Sequence, residues 1–218
     1  MARPPGEKRP LETALQGTSV EVPPGYWDEL RDRDPETVAR NSLARVDADG
    51  YRLDFLNREL RVDLAGRGLF AVAGDSERRL DRALLELVIL VYLLSAGEAT
   101  VRDDVVGVRD LREGHFFRGP HVLPTARLAK RFGADLDGFR NSAAALGGRP
   151  VDMADAAIVL RPLPKIPLYF LLWEGDEEFP AEASVLFDRS IEDHFSADAI
   201  WGLVNLVTDG LVKGAAPF

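Results

Sequence analysis

Alternation of apolar and polar residues over residues 51–63 predicts two half-buried strands. Apolar side chains occupy alternate positions in this run: Tyr51, Leu53, Phe55, Leu60 and Val62. A two-residue period places such side chains on one face of a sheet, so we expect this face to pack on the core. Asn57 and Arg58 lie between the two runs, and asparagine tolerates the positive φ angle of a tight hairpin turn.

Helical spacing of apolar residues predicts a long central helix that starts behind Asp75 and Ser76 and ends at Gly97. The spaced residues are Leu80, Ala83, Leu84, Leu87, Val88 and Val91. Serine is a favoured N-cap, and glycine commonly follows the last turn of a helix. Because residues 87–94 are apolar on every side, we expect the second half of this helix to be enclosed by a sheet and other helices.

Shorter segments complete the set of predicted elements. Helices are predicted over residues 35–41, 124–132 and 135–146 and from Ser196 onward, and strands over residues 156–160, 166–173 and 184–187. The strand at 166–173 is almost wholly apolar, which is typical of a central strand covered on both faces. Pro162, Pro164 and Pro167 have no amide hydrogen, so we place them in the connection and at the strand margin. Residues 98–122 are irregular.

Together these elements predict an α/β or α+β protein. One mixed β-sheet is expected to pack against the long central helix, a helical hairpin at 124–146 and a C-terminal helix. Residues 1–24 are rich in proline and polar residues, a composition that gains too little from burial to offset the entropy of ordering, so a flexible tail is expected there. Residues 25–213 are expected to form a single globular domain.

Charge and cysteine content exclude several functions. Acidic residues outnumber basic ones by 36 to 27, so we expect no general electrostatic binding to nucleic acid or to an anionic membrane. The chain has no cysteine, which excludes disulfides, thiolate nucleophiles and an iron–sulfur cluster held by this chain alone. No apolar segment approaches the roughly 20 residues that cross a bilayer, and no secretion signal is recognisable, so a cytoplasmic location is expected.

Several local motifs resemble those of one prokaryotic family. The most specific is LWEGDEEFP at 172–180, followed by ASVLFD at 183–188. Supporting motifs are YRLDF at 51–55, VRDL at 108–111, LAKRFG at 128–133 and ALGG at 145–148. Over residues 27–212 the chain resembles the family catalogued as domain of unknown function 3786.

This resemblance implies no established activity and no catalytic residues. It implies proteins found largely in anaerobic bacteria and archaea, some of them joined to an iron–sulfur module. Because this chain has no cysteine, any connection to redox or corrinoid metabolism would run through a separate partner.

An acidic turn is the candidate metal or cation site. Asp176, Glu177 and Glu178 follow the apolar strand, and Asp188 and His194 come shortly after. Carboxylate oxygens suit Mg²⁺, Ca²⁺ or Mn²⁺, and one imidazole shifts the preference toward a transition metal. The spacing matches no known metal-binding loop, and the alternative is a solvated turn whose carboxylates cap neighbouring backbone amides.

A basic cluster is the candidate site for an anion or an acidic partner. It contains six residues: Arg109, Arg118, His121, Arg127, Lys130 and Arg131. A phosphate or carboxylate would fit the helix N-terminus near Pro124, where free amides and guanidinium groups favour negative charge. The alternative is a solvated helix face, because cations near a helix C-terminus are stabilised by the helix dipole.

Two histidines form a third candidate site. His115 and His121 flank Phe116 and Phe117, an arrangement that could offer axial imidazoles and aromatic walls to a flat cofactor such as a tetrapyrrole. The alternative is that both are ordinary hydrogen-bonding residues of a loop.

Two functional hypotheses remain open. The chain lacks every catalytic motif with a specific spacing, including the nucleophile elbow, the phosphate loop and the dinucleotide fingerprint. The leading hypothesis is a binding or accessory module for a small ligand, a cofactor or a protein partner, using the loops at 109–131 and 174–195. The alternative is a metal-dependent enzyme in which the acidic loop at 174–194 holds a divalent ion that activates water.

Overall fold

Residues 21–218, which the computed structural model describes, contain seven helices and two antiparallel sheets of five strands each. The strands of the first sheet lie side by side in chain order: β1 (Arg45–Asp47), β2 (Gly50–Phe55), β3 (Arg58–Asp63), β4 (Gly68–Ala73) and β5 (Ser76–Arg79). Those of the second have the spatial order β6-β10-β9-β8-β7: β6 (Val105–Gly107), β7 (Arg149–Pro150), β8 (Ala156–Leu163), β9 (Ile166–Trp173) and β10 (Glu182–Asp188). The predicted mixture of helices and strands is confirmed, but two antiparallel sheets replace the one mixed sheet.

The helices lie before, between and after the sheets. They are α1 (Pro24–Asp32), α2 (Pro35–Ser42), α3 (Ala83–Ser95), α4 (Thr125–Phe132), α5 (Leu136–Ala145), α6 (Ile191–His194) and α7 (Ala197–Lys213). The Oδ2 atom of Asp34 accepts a hydrogen bond from the amide of Thr37 at 3.0 Å, so the predicted cap of α2 is confirmed. Residues 1–20 of the predicted tail lie outside the described residues, and Pro24 begins α1.

Tight turns keep the strands of the first sheet in chain order. The β2–β3 turn consists of Leu56 and Asn57, whose φ angles are 48° and 55°, so it lies one residue earlier than predicted. Positive φ angles at both positions match the right-handed twist of the flanking strands. The amide of Leu56 donates to the carbonyl of Pro162 in β8 at 3.2 Å, which ties this turn to the second sheet.

Strand β5 corrects the predicted start of the central helix. Residues 76–79 pair with β4, and α3 begins only at Ala83. The pairing brings Glu77 to Arg61, where the carboxylate and guanidinium lie 2.7 Å apart. Asp75 and Ser76 therefore do not cap a helix, although they resemble an N-cap. Strand pairing is more favourable at this position, because it provides ladder hydrogen bonds and an ionic partner.

The strand over 166–173 is the central strand of the second sheet, as predicted, because it pairs with β10 on one side and β8 on the other. Pro162 and Pro167 lie one residue inside the facing ends of β8 and β9, and Pro164 lies in the turn between the two strands, in agreement with the predicted places at the connection and the strand margin. A register shift between Leu160 and Leu163 accommodates Pro162, since a bulge removes the need for its amide hydrogen.

Helix α3 is enclosed as its sequence predicts. Every residue from Leu87 to Ser95 is buried. The helix packs against α1, α2 and α7, and its side chains share one continuous apolar cluster with residues of both sheets. The loops that carry the candidate site residues are therefore connected to strands and helices whose side chains belong to this cluster.

Candidate functional site

Three short 3₁₀ turns follow β6, and residues of the first two turns and of the segment between the second and third line the pocket that we call the basic pocket. The turns are Val108–Asp110, Gly114–Phe116 and Gly119–His121. The pocket has a volume of about 500 Å³, and its lining residues are Val108, Arg109, Gly114, His115, Phe117 and Arg118. A Cβ at Gly114 would lie 2.5 Å from the carbonyl oxygen of Val108, so only glycine permits this close approach of the first two turns.

The basic pocket concentrates positive charge that has no ionic partner. The side chains of Arg109 and Arg118 are exposed, and neither forms a hydrogen bond or ion pair with any part of residues 21–218. Neighbouring arginines are paired: Arg112 lies 3.9 Å from Glu192, and Arg189 lies 2.6 Å from Asp104. The lining residues include no carboxylate, so the pocket favours an anion.

The predicted basic cluster divides in the structure. Arg109 and Arg118 line the basic pocket, whereas Arg127 is paired with Asp209 at 2.7 Å. Asp209 also accepts from Arg82 at 2.6 Å, and the hydrogen bonds of Arg127 and Arg82 outweigh its burial and hold its pKa below the usual value. Arg127 therefore acts as part of an ionic cluster that joins α4 to α7.

The other members of the predicted cluster lie on α4 or just before it. Arg131 lies 3.6 Å from Asp135 and stacks over the ring of Phe132, with 4.6 Å between guanidinium carbon and ring centroid. Lys130 lines a separate shallow pocket between α4 and the start of β10. These two residues match the solvated helix face that the sequence left as the alternative.

The two histidines also separate. His115 lines the basic pocket, but His121 does not. The imidazole of His121 stacks on Phe116 at 4.2 Å and meets the edge of Trp201 at 6.0 Å. No described pocket presents both imidazoles to one flat cofactor, so the tetrapyrrole hypothesis gains no support from their positions.

The acidic turn lies far from the other residues of the predicted metal site. It joins β9 to β10, while Asp188 is at the opposite end of β10, and a strand of seven residues spans about 20 Å. Glu177 and Glu178 are exposed. Within residues 21–218, no group of three or more histidines and acidic residues is placed to hold a metal ion.

Asp176 instead caps its own turn. Its Oδ1 atom accepts from the amides of Phe179 at 2.7 Å and Glu178 at 2.8 Å. These two hydrogen bonds lower the pKa of the Asp176 carboxyl below its usual value. The residue therefore fits the capping alternative described above.

Replacement of this cap separates the two alternatives for the acidic turn. Asp176→Ala should lower the urea midpoint slightly, because two amides lose their acceptor, whereas Glu177→Ala should leave it unchanged. Urea unfolding with and without Mg²⁺, Ca²⁺ or Mn²⁺ provides the measurement, and no ion should alter either result. An ion that stabilises the wild type but not Asp176→Ala would re-establish the metal site.

Asp188 is fully buried and organises the chain between α3 and β6. Its carboxylate accepts from the amide of Arg102 at 3.0 Å and from the amide of Ser190 at 2.9 Å, and from the hydroxyl of Ser190. Burial alone would raise the pKa of Asp188, but these hydrogen bonds outweigh it and hold the pKa below its usual value. All of these contacts are structural.

His194 and Lys165 hold the backbone of Gly97 from two sides, an arrangement that we call the Gly97 clamp. The Nδ1 atom of His194 accepts from the Gly97 amide at 3.2 Å, and the Lys165 ammonium donates to the Gly97 carbonyl at 2.9 Å. Burial, followed by the nearby charge of Lys165, lowers the pKa of His194 to about 4. His194 is fully buried, so it anchors the end of α3 and is not available as a ligand to solvent ions.

Lys165 is the site residue that the sequence analysis missed. It lies in the β8–β9 turn and is only 6% exposed, although turns usually face solvent. The one signal in the sequence is a lone lysine between Pro164 and Ile166 in an otherwise apolar run. Burial lowers the pKa of Lys165, and its hydrogen bond to the Gly97 carbonyl joins residues 68 positions apart, which no local pattern indicates.

The fold defines a class: a mixed α and β protein with two antiparallel sheets and an apolar helix, α3, that packs against α1, α2 and α7. The family model described as "Domain of unknown function (DUF3786)" matches residues 34–209. The chain belongs to this family, which confirms the resemblance carried by its motifs. No curated protein and no solved structure shows significant similarity. None of the helices in residues 21–218 has the length and apolar character to span a bilayer.

Proposed function

We propose that this protein is a binding module whose basic pocket takes a small organic anion, with a phosphate or carboxylate group and a small apolar part. One observation carries the proposal: Arg109, Arg118 and His115 line one pocket of about 500 Å³, and neither arginine has an ionic partner among the described residues. Small-molecule sites commonly have volumes of about 300–1,000 Å³.

The charges of the chain favour this ligand class. In a protein with net charge −9, most cations near the pocket are already paired with carboxylates, as Arg112 and Arg189 are. Two guanidinium groups without such partners can form paired hydrogen bonds with phosphate or carboxylate oxygens. An anion here replaces water at both groups and displaces no internal ion pair.

The walls of the pocket account for the apolar part of the ligand. Phe117 is buried beneath the pocket and Val108 is half-buried beside it. A ligand with a ring or a short alkyl chain would cover this apolar surface while its anionic group met the arginines. Inorganic phosphate has no apolar part and would contact only the arginines, so it should bind more weakly.

Binding is favoured over catalysis because the lining residues include no carboxylate and no hydroxyl. His115 is their only candidate general base, and it has no described acidic or hydroxyl partner in the pocket. Without a nucleophile beside that base, the pocket suits recognition. A link to redox or corrinoid metabolism, as the family resemblance implies, would then depend on a partner protein that supplies the cofactor.

Calorimetric titration with phenyl phosphate, benzoate and inorganic phosphate tests the proposal. We expect phenyl phosphate to bind most tightly, and Arg109→Ala or Arg118→Ala to weaken it by about tenfold each, because each removes a charge-assisted hydrogen bond. Arg149→Ala is the matched control, since Arg149 is exposed and lies outside the pocket. The proposal is wrong if none of the three anions binds, or if the control weakens binding as much as the pocket variants do.

A further inference from the structure

The second sheet has one face that does not contribute to the apolar core cluster, and we call it the outer face. In β9 every second side chain, from Ile166 to Leu172, belongs to the core cluster, so the alternate side chains point to the opposite side. Residues of β8 and β10 lie beside them in register. The apolar members of the outer face are Ala157, Val159, Tyr169, Leu171, Trp173 and Leu186. None of these six side chains belongs to the core cluster.

Helices α4 and α5 pack on the core side of this sheet. Helix α4 contacts β9 and β10, and α5 contacts β8. Their buried residues Leu128, Phe132 and Phe139 belong to the same cluster as Phe170, so these helices lie on the side of Phe170. The outer face is therefore a surface of the described chain, and Trp173 on it is 37% exposed. Its half-buried members are Val159, Tyr169 and Leu186.

The first sheet shows what a solvated sheet face looks like in this protein. Its outward residues Arg52 and Arg61 are neighbours in register, and each lies 2.7 Å from a carboxylate, that of Asp47 or Glu77. Antiparallel sheets that face water usually alternate apolar and polar residues in this way. Strand β9 is instead apolar on both sides, which is typical of a strand covered on both faces, whereas the core covers only one.

Two unpaired charges of opposite sign flank one end of the outer face. Arg161, in β8, and Asp103, just before β6, are both exposed. Neither side chain forms a hydrogen bond or an ion pair with residues 21–218. Burial, followed by the charges of Asp188 and Asp103, raises the pKa of Tyr169. The charge of Arg161 opposes this rise, so both unpaired charges act on a tyrosine of the outer face.

A twofold axis parallel to β9 would bring these two charges together. When two such sheets pack face to face about this axis, β8 of one copy lies over β10 of the other at the same level along the strands. Leu160 in β8 and Phe187 in β10 both pair with Leu168. Arg161 and the residue that accepts from the Asp103 amide come one position later in these two strands. Arg161 of each copy would therefore meet Asp103 of the other, in two symmetric ion pairs.

We infer that this protein forms a weak twofold dimer through the outer face of the second sheet, with Arg161 of each copy paired to Asp103 of the other. Four strands about 4.8 Å apart, with about eight residues at about 3.3 Å each, give a footprint of about 500 Å². Two copies bury about 1,000 Å² in total, near the lower limit for a specific interface, which suits a dissociation constant on the order of 10–100 μM. Neither charged residue lines the basic pocket, so the inference does not depend on the proposed anion site.

Sedimentation velocity of the full-length protein in low salt tests this inference, at concentrations from about tenfold below to about tenfold above that dissociation constant. We expect monomer at the lower end and dimer at the upper end. Arg161→Glu and Asp103→Lys should each weaken self-association by at least about tenfold, because each creates two like-charge pairs in the dimer. An equimolar mixture of these two variants should restore association, since both contacts between the unlike copies then join opposite charges.

Controls show whether the effect belongs to the outer face. Arg58→Glu and Asp75→Lys reverse charges at exposed positions in or beside the first sheet, and both should associate like the wild type. Asp103 has a φ angle of 57°, so Asp103→Asn, which tolerates this conformation, is the second variant and should weaken association by a few-fold. Circular dichroism verifies that each variant is folded.

Three results would overturn the inference. A chain that stays monomeric at every concentration would leave the outer face for a protein of another sequence. A dimer that both charge reversals leave intact would place the contact on a different surface. A dimer that the reversals weaken but that the mixture does not restore would exclude the twofold pairing of Arg161 with Asp103.

Discussion

Asp188→Ala should lower the free energy of unfolding by about 3–5 kcal/mol, one of the two largest effects that we expect. The substitution leaves the buried amide of Ser190 and the partly buried amide of Arg102 without an acceptor, and each unpaired buried amide costs about 1–3 kcal/mol. Water cannot easily replace the carboxylate, because the residue is fully buried. Chemical denaturation followed by tryptophan fluorescence and circular dichroism measures the change.

Two further substitutions make this prediction specific. Asp188→Asn keeps the volume and one acceptor oxygen, so it should lose clearly less stability than the alanine variant. Asp152→Ala removes an exposed carboxylate and should change the free energy of unfolding by no more than about 0.5 kcal/mol. A result in which Asp188→Ala behaves like Asp152→Ala would show that the carboxylate does not organise this segment.

The second large effect is a loss of stability in mild acid that originates at His194. In the folded protein, burial and then the charge of Lys165 lower the His194 pKa to about 4, against an ordinary value of 6.5. The unfolded chain therefore binds a proton more readily than the folded one between these two values. The contribution of the neutral imidazole is complete above pH 6.5 and is lost as the pH falls toward 4, to a total of about 3 kcal/mol.

Unfolding curves at pH 7, 6 and 5 measure this dependence. His194→Gln keeps an acceptor for the Gly97 amide but does not titrate, so its stability should vary less over the same range. Lys165 and Arg102 oppose protonation of His194, whereas Asp193 and Asp188 favour it. An NMR titration that found an ordinary pKa for His194 in the native protein would refute the prediction, as would equal pH dependence in the glutamine variant.

Local patterns predicted the elements whose neighbours in space are also neighbours in sequence. The hairpin of β2 and β3 and the apolar strand at 166–173 follow from residue periodicity alone, and both are confirmed. The capped start of α2 is set by Asp34 and Pro35, which act within one helical turn. In these cases the residues that carry the sequence pattern and the element that they form lie within a few positions of each other.

Contacts between distant residues account for what the sequence could not predict. The local sequence predicts that Ser76 caps a helix, but pairing with β4 makes it part of a strand. Arg127 reads as a free cation, but Asp209, which neutralises it, comes more than 80 residues later. Asp188 resembles a metal ligand until the backbone amides that it accepts from are known. Arg109, Arg118 and His115 lie within ten residues of the chain and line one pocket, although the sequence patterns placed the two arginines and His115 in different candidate sites.

Strand β5 ends the first sheet on one side, and its composition disfavours the addition of a further strand. This strand is the outer edge of that sheet, and all four of its side chains, Ser76, Glu77, Arg78 and Arg79, are exposed. An outer strand presents unpaired backbone groups that can recruit a strand from another molecule, the first step of aggregation. Here an incoming strand would have to desolvate three charged side chains, which costs free energy. This edge of the sheet therefore resists self-association during synthesis and at high protein concentration.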